Sequence, residues 1–410
     1  MSTAASVVSG QSGGADRAPR IATIFAFSAG VIVTNLFAPQ TLVGLIGPSI
    51  GLTLAQCGLV AMASMLGYAA GLFLLVPLAD LVETRRLVVT MVLTAAMAAT
   101  VVALAATALL LLGALFVLGA ACSAIQILVP AAAAMAPPDR RGSVIGNVMA
   151  GVMTGILLSR PLASIVADNF GWRTFYGTGA TAMICVAAVL AYAVPRTMPE
   201  SRMSYPALIG SMWELFRSEP KLRRRALTAG LVMAAFSLYW TSVALRLEQS
   251  PFYLDQKGIA IFALMGVAGV AATPIVGWFG DKGWTRHVTI ASHVVLTSAF
   301  ALASGADWLP AEAATSLLVP MGAGAILLDV GLTGDQILGR RTVALLNPIA
   351  RGRLNALFVG LFFLGGAAGS TLAGLAWTSG GWPLVCVIGA ACGISALIVD
   401  LSEAASGASP

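Results

Sequence analysis

The chain has 410 residues, of which 58% are hydrophobic and only 10% charged, with a mean hydropathy of +0.91 and a net charge of +6. Soluble domains carry roughly 25% charged residues, so this composition excludes a chain that faces water on all sides. A helix needs about 20 apolar residues to cross a hydrocarbon core roughly 30 Å thick, and runs of that length recur from end to end, leaving no room for a separate soluble domain.

Residues 1–20 are small and polar, lack the apolar core and cleavage site of a removable signal, and read as a disordered cytoplasmic tail. Six predicted spans follow at 21–46, 55–79, 87–106, 108–134, 143–166 and 174–194, forming an N-terminal bundle over 21–194. The longest polar interruption, 195–225, reads as a cytoplasmic linker. Within it Leu208, Ile209, Met212, Leu215 and Phe216 recur at helical spacing ahead of Lys221 and Arg223 to Arg225, the pattern of an amphipathic helix lying on the membrane surface. Six more spans, at 226–247, 258–280, 287–305, 311–338, 354–378 and 382–400, make a C-terminal bundle over 226–401. The runs are continuous, whereas barrel strands would alternate with period two. The predicted class is therefore an all-α membrane protein of twelve transmembrane helices in two six-helix bundles.

Lysine and arginine in short loops are retained on the cytoplasmic side. With the N-terminus inside, every cation except Arg160, Arg173, Arg246 and Lys257 falls in a cytoplasmic segment. The bias predicts a multi-pass protein of the bacterial inner membrane with both termini cytoplasmic. It also accounts for the positive net charge through an anionic leaflet, without nucleic acid.

Cys57, Cys122, Cys185, Cys386 and Cys392 all lie within or at the rim of spans and form no disulfide framework. His287 and His293 lack a metal-ligand pattern and read as structural. No phosphate-cradling loop, H-E-x-x-H helix or acid–histidine constellation is present in the sequence, so the expectation is a chain with no catalytic residues, no metal and no cofactor.

The halves repeat each other. Asp80 ends the second span as Asp281 ends the eighth. Arg141 and Gly142 stand 210 residues before Arg351 and Gly352, Gln126 the same distance before Gln336, and Gly171 with Trp172 before Gly381 with Trp382. Matches in one order at nearly one offset indicate two bundles of like fold.

On these features the chain resembles the major facilitator superfamily, whose transporters are built from two such halves. The family signature after the second span is G-x-L-A-D-R-x-G-R-R. Here Val76 to Arg86 keeps the acid and the cations but departs at Val76, Leu81 and Glu83, while Gly277, Asp281, Lys282 and Gly283 form a better second copy. Gly155 to Arg160, Gly171 to Arg173, Leu328 to Gly331 and Arg351 to Asn355 are similar to a bacterial branch of arabinose-efflux-like and multidrug-efflux permeases. Relatives in that branch carry an arginine in the fourth span where Leu115 to Gly119 is wholly apolar here.

The resemblance implies a secondary transporter, proton-coupled and exporting a small organic or drug-like solute by alternating access, monomeric, with solute, protons and bilayer as its partners. Uptake of an organic anion, or a non-transporting sensor or scaffold, stays open at this stage. A carboxylate at the cytoplasmic end of a helix attracts a neighbouring helix N-terminus and nearby arginines. Asp80 with Arg85 and Arg86, and Asp281 with Lys282, are accordingly candidate gate elements or simple loop anchors. In the family, spans one, four, seven and ten line the cavity, which puts forward Asn35, Gln40, Gln126, Tyr239, Trp240 and Gln336 as solute contacts. The two charges deepest in predicted spans are Arg160 and Asp329. At the repeat offset they match Ser370 and Gly119, so the fold does not require them. They are expected to face the cavity from opposite halves, as coupling group and counter-charge or as a permanent pin between the bundles.

Overall fold

Lipid offers no partner to a backbone N–H or C=O, so a chain this apolar closes its hydrogen bonds within each segment. The computed structural model describes residues 17–137, 140–198, 203–305, 314–347 and 350–405, and these are helical nearly throughout. The first half comprises α1 (Arg17–Ser49), α2 (Leu54–Asp80), α3 (Thr84–Leu104), α4 (Ala108–Ala134), α5 (Arg141–Phe170) and α6 (Trp172–Ala193). Of the tail expected over 1–20, residues up to 16 lie outside the described residues. A short helix, Tyr205–Ser218, precedes α7 (Pro220–Leu247), α8 (Gln256–Asp281), α9 (Thr285–Ser304) and α10 (Ala314–Ala344).

The last helical run, Arg351–Ala405, is too long for one crossing: 55 residues would extend about 80 Å, more than twice the bilayer core. It breaks at Gly381 into α11 (351–380) and α12 (382–405). Among the described residues this gives twelve helices of membrane length, the number the sequence predicts. Gly381 has φ 62° and its counterpart Gly171, between α5 and α6, has φ 82°, a region that glycine enters without a Cβ clash. The tryptophan after each glycine ties its turn to the same bundle. Trp172 Nε1 donates to Ser49 Oγ at 3.1 Å, and Trp382 Nε1 donates to the Ala303 carbonyl at 3.0 Å.

Helices in lipid gain nothing from hiding apolar surface from each other, so close backbone approach at small residues carries the packing. A Cβ on Gly155 of α5 would lie 2.4 Å from the Gly30 carbonyl of α1, and one on Gly365 of α11 would lie 2.0 Å from the Gly230 carbonyl of α7. The same contact is thus made once in each half. The outer faces carry Leu104, Leu109, Phe170 and Tyr192 almost fully exposed, a surface suited to acyl chains.

Two helix pairs carry most of the packing between the bundles. Along α2 and α11, Gly58 meets the Ser370 carbonyl, Gly374 the Ala55 carbonyl and, toward the other end, Gly360 the Phe73 ring. The α5–α8 contact is concentrated in the Gln256–Ala263 segment, where Lys257 and Asp168 stand 3.8 Å apart. The Tyr205–Ser218 helix straddles the halves at the opposite end. Its Leu208 and Met212 are buried, Tyr205 Oη donates to the Leu74 carbonyl, and Ser211 Oγ accepts from Arg353.

Gly369→Ala should lower the apparent Tm of the detergent-purified protein clearly, because its Cβ would sit 2.0 Å from the Ala234 carbonyl and neither backbone can yield cheaply. Gly142→Ala, with open space at the same test, should leave Tm unchanged. Equal thermal unfolding curves for the two variants would refute this packing.

Candidate functional site

A cavity of about 90 Å³ lies between the bundles, walled mainly by valine, leucine, methionine and phenylalanine, with Tyr68, Gln126, Arg160, Asp329, Gln336 and Arg340 as its chief polar and charged groups. The spacing of its lining follows from helix geometry. On α10, Asp329, Thr333, Gln336 and Arg340 recur at intervals of four, three and four and so share one face.

Arg160 comes from α5 and is 2% exposed. Its Nη2 donates to Gln40 Oε1 at 3.4 Å, and its guanidinium carbon lies 4.0 Å from the Trp240 ring centroid and 5.2 Å from that of Phe236. A guanidinium stacked on aromatic faces keeps its edge free for in-plane partners. Gln40 also donates to Ser237 Oγ at 3.4 Å, so α1, α5 and α7 are joined across the seam by one short chain of contacts. Asp329 approaches from α10. A Cβ on Gly266 would lie 3.6 Å from Arg160 Nη1 and 3.7 Å from Asp329 Oδ1, which places both charges over the same glycine of α8. They face each other without closing a hydrogen bond, and Asp329 Oδ2 has no hydrogen-bond partner.

Of the six polar and aromatic positions expected at the cavity, four are found on it or on Arg160. Gln126 and Gln336 line the wall, and Gln40 and Trp240 hold the guanidinium. Gln126 donates to Tyr68 Oη at 3.1 Å and accepts from Asn355 at 3.5 Å, linking α4, α2 and α11. The other two are turned into their own bundles. Asn35 donates to the Val31 carbonyl and packs its amide on Gly179 of α6, while Tyr239 Oη donates to the Met321 carbonyl at 2.8 Å beside Phe300 and Trp382.

At the helix ends Asp281 forms its ion pair with Arg341 of α10 and not with the adjacent Lys282, whose ammonium lies 3.8 Å from the Trp278 ring centroid. Arg85 turns toward the end of α6, where its Nε donates to the Val194 carbonyl at 2.5 Å, and Glu83 faces Arg196 at 4.0 Å. Asp80 and Arg86 are exposed at either side of that turn.

A second charged cluster is enclosed within the C-terminal bundle. Arg225 of α7 reaches Asp335 of α10 at 2.7 Å and Asp400 of α12 at 3.2 Å. His293 of α9 lies between the same two acids, 3.1 Å from Asp335 Oδ1 and 3.3 Å from Asp400 Oδ2. One residue from each of four helices thus meets in a single network, and Asp335 points away from the cavity face that carries Asp329.

The Major Facilitator Superfamily model matches residues 21–335, more than half of the chain. The chain belongs to the major facilitator superfamily. It is 35% identical over 381 residues to the uncharacterized transporter YgaY of Escherichia coli K12, covering 93% of this chain and 95% of that protein. It is 34% identical over 372 residues to SCO4007 of Streptomyces coelicolor, named a probable transporter, covering 90% and 84%. Among solved structures it superposes on an inward-facing, unoccupied bacterial homolog of the lysosomal transporter Spinster with TM-score 0.66, at 15% identity over 95% of each chain. The nucleoside transporter NupG, as its D323A mutant, gives TM-score 0.71 at 15% identity over 92% of this chain and 99% of that one. The protein is a multi-pass membrane transporter of this superfamily and not an enzyme.

Within that superfamily fold, two features escaped sequence reasoning. Arg340 lies beyond the predicted tenth span, beside Arg341 among the cytoplasmic cations, yet the stripe Asp329, Thr333, Gln336, Arg340 carries it onto the cavity face at helical period. The Arg225, His293, Asp335 and Asp400 network left no local signal, because its members are brought together from four helices far apart in sequence. Removing one partner from a buried ionic network leaves an unpaired charge and costs about 3–5 kcal/mol. Asp335→Ala should therefore depress the apparent Tm and the yield of monodisperse protein strongly, whereas Asp329→Asn should fold close to wild type. Thermal unfolding of the two variants in one detergent measures this, and a milder effect at Asp335 would overturn the structural reading of the network.

Proposed function

We propose that the protein is a proton-coupled secondary transporter that exports a small organic or drug-like solute by alternating access, acting as a monomer in the bacterial inner membrane. The observation that carries this reading is the meeting of Arg160 and Asp329 over Gly266, one charge from each bundle, on the wall of the cavity between them. A charge inside the bilayer is costly, and these two are held at the seam that must open and close. The groups around Asp329 are Arg160 from α5, Trp240 and, within electrostatic reach, Tyr239 from α7, with Gly266 from α8 beneath; Asp335, on its own helix, is engaged elsewhere.

In this mechanism Asp329 takes up a proton on the oxygen that has no donor. Neutralising it removes the attraction that holds Arg160 toward α10 and frees the side of the guanidinium not engaged by Gln40 for solute. The contact between α2 and α11 runs the length of both helices, whereas that between α5 and α8 is concentrated near Asp168 and Lys257. The first pair suits a pivot and the second a gate that parts. At the other end Asp80, Arg85, Arg86, Asp281 and Lys282 are the proposed inner gate, with Arg341 added as the partner of Asp281. Exit is favoured over entry by the resemblance of Gly155 to Arg160 and Leu328 to Gly331 to efflux permeases and by the largely apolar cavity wall.

Reporter fusions after Arg86, Arg141 and Arg353 should report a cytoplasmic location, and fusions near Gly51, Asp168 and Asp255 an external one; the reverse pattern would sink the orientation. In proteoliposomes loaded with a pH-sensitive dye, solute-driven proton movement should be abolished by Asp329→Asn while solute exchange persists. Arg160→Ala should reduce both at least tenfold at equal protein incorporation. Gradient-driven transport retained in both variants would refute the coupling role.

A further inference from the structure

Three charges stand on the cavity wall, and only two of them answer each other. Arg160 has Asp329 opposite, Gln40 in its plane and Trp240 beneath. Arg340 sits eleven residues beyond Asp329 on the same face of α10, about 16 Å along the helix at 1.5 Å per residue. It is partly buried, its Nε is out of solvent without a hydrogen-bond acceptor, and no acid lies within ion-pair distance of it among the described residues. The neighbouring Arg341 is turned off this face and spends its charge on Asp281. The groups placed with Arg340 are neutral and polar: Tyr68 interacts with it, Gln126 donates to Tyr68 Oη, and Gln336 lies one turn before it on the same face of α10. Between Asp329 and Gln336 the same face of α10 carries the hydroxyl of Thr333, and the remaining lining, including Met153, Met233, Leu332, Phe362 and Phe363, is largely apolar.

A desolvated guanidinium without a counter-ion is an expense that a fold does not need at a position lining a cavity. The fork of Arg340 matches a carboxylate in a two-point contact, and the amide and phenol groups beside it can donate to the same oxygens. With Arg160 and Asp329 balancing each other, the cavity carries one uncompensated positive charge. One negative charge completes it, while a dianion would leave one unmatched and a cation would be repelled. The apolar side chains of the lining then take up a hydrocarbon or aromatic body.

We propose that the transported solute is an amphiphilic organic monocarboxylate whose carboxylate is bound by Arg340, with Gln126, Gln336 and Tyr68 beside it, and whose apolar body lies on Met233, Phe362 and Phe363. This rests on the reading of the cavity as the transport site and names its substrate class. Arg340 is the anchor at the end of the cavity remote from Arg160, so that a solute moving along α10 passes from one guanidinium to the other.

The test is thermal unfolding of the purified protein in a neutral maltoside detergent, titrated with benzoate, 4-phenylbutyrate and octanoate, each against its primary amide. At least one acid should raise Tm saturably while its amide at equal concentration does not. Arg340→Gln should keep the ligand-free Tm and weaken the acid's half-saturating concentration at least tenfold, and Arg340→Lys should restore part of it. Equal response to acid and amide, no response to any of the three acids, or wild-type half-saturation in Arg340→Gln would overturn the proposal. Binding needs no gradient, so the two readings fail separately. Arg340-dependent carboxylate binding without gradient-driven flux would remove only the coupled-transport reading. Loss of coupling in Asp329→Asn alongside unaltered acid binding in Arg340→Gln would remove only this one.

Discussion

A charge within hydrocarbon must be answered inside the protein, and this chain does so in three ways, one inside the C-terminal bundle and two at the cavity between the bundles. Arg225 is answered fully, by two carboxylates that also bracket His293. That network is closed and joins four helices, so it rigidifies one bundle. Arg160 is answered in part, by an aromatic face, one amide and an acid that stands near it without touching. Arg340 is answered by neutral groups alone. Satisfaction falls along this series as the residue moves from the bundle interior to the cavity, which is the order expected if stability is secured in the bundle and reactivity is left at the seam.

Small residues set where the two bundles can move. Backbone carbonyls at van der Waals distance from glycine, as for Gly155 on Gly30 and Gly365 on Gly230, fix α1 to α5 and α7 to α11 so closely that each bundle must move as a block. Between the blocks, the α2–α11 contact is of the same close kind, but α5 and α8 meet through side chains and one exposed ion pair. An exposed pair contributes little and breaks readily. The stiffness within bundles and the weakness of one inter-bundle contact together permit rocking about the other.

The fold was legible in the sequence because its two determinants are local or repetitive. Span length follows from bilayer thickness, and the repeat is visible in Arg141 with Arg351, Gln126 with Gln336 and Gly171 with Gly381. The structure adds that Gly171 and Gly381 recur because both occupy positive φ. The site was legible where depth in a span is informative, as for Arg160 and Asp329. It was illegible where facing direction decides. Asn35 and Tyr239 sit on cavity-lining helices of the superfamily yet turn inward, because a 3.6-residue period places adjacent positions about 100° apart and a span boundary does not reveal which face meets the cavity. Arg340 shows the converse: its nearness to the end of α10 suggested a loop, and only the stripe from Asp329 assigns its face.

The broken symmetry at the site has a packing explanation. In the N-terminal half, Gly119 of α4 lies against the Ser64 carbonyl of α2, so close that a Cβ would be 2.1 Å from it, and no carboxylate could stand there. In the C-terminal half the corresponding position is Asp329, and the glycine appears instead on the facing helix, where a Cβ on Gly269 of α8 would be 3.1 Å from Asp329 Cβ. The close approach of the two helices is kept while the missing side chain is transferred from one to the other. Likewise Arg160 corresponds to Ser370, whose carbonyl is pressed against Gly58 in the α2–α11 contact. A long cationic side chain at that position would wedge apart the contact here assigned as the pivot. The duplicated fold therefore admits each charge in only one half, and the two permitted positions face each other across the moving seam.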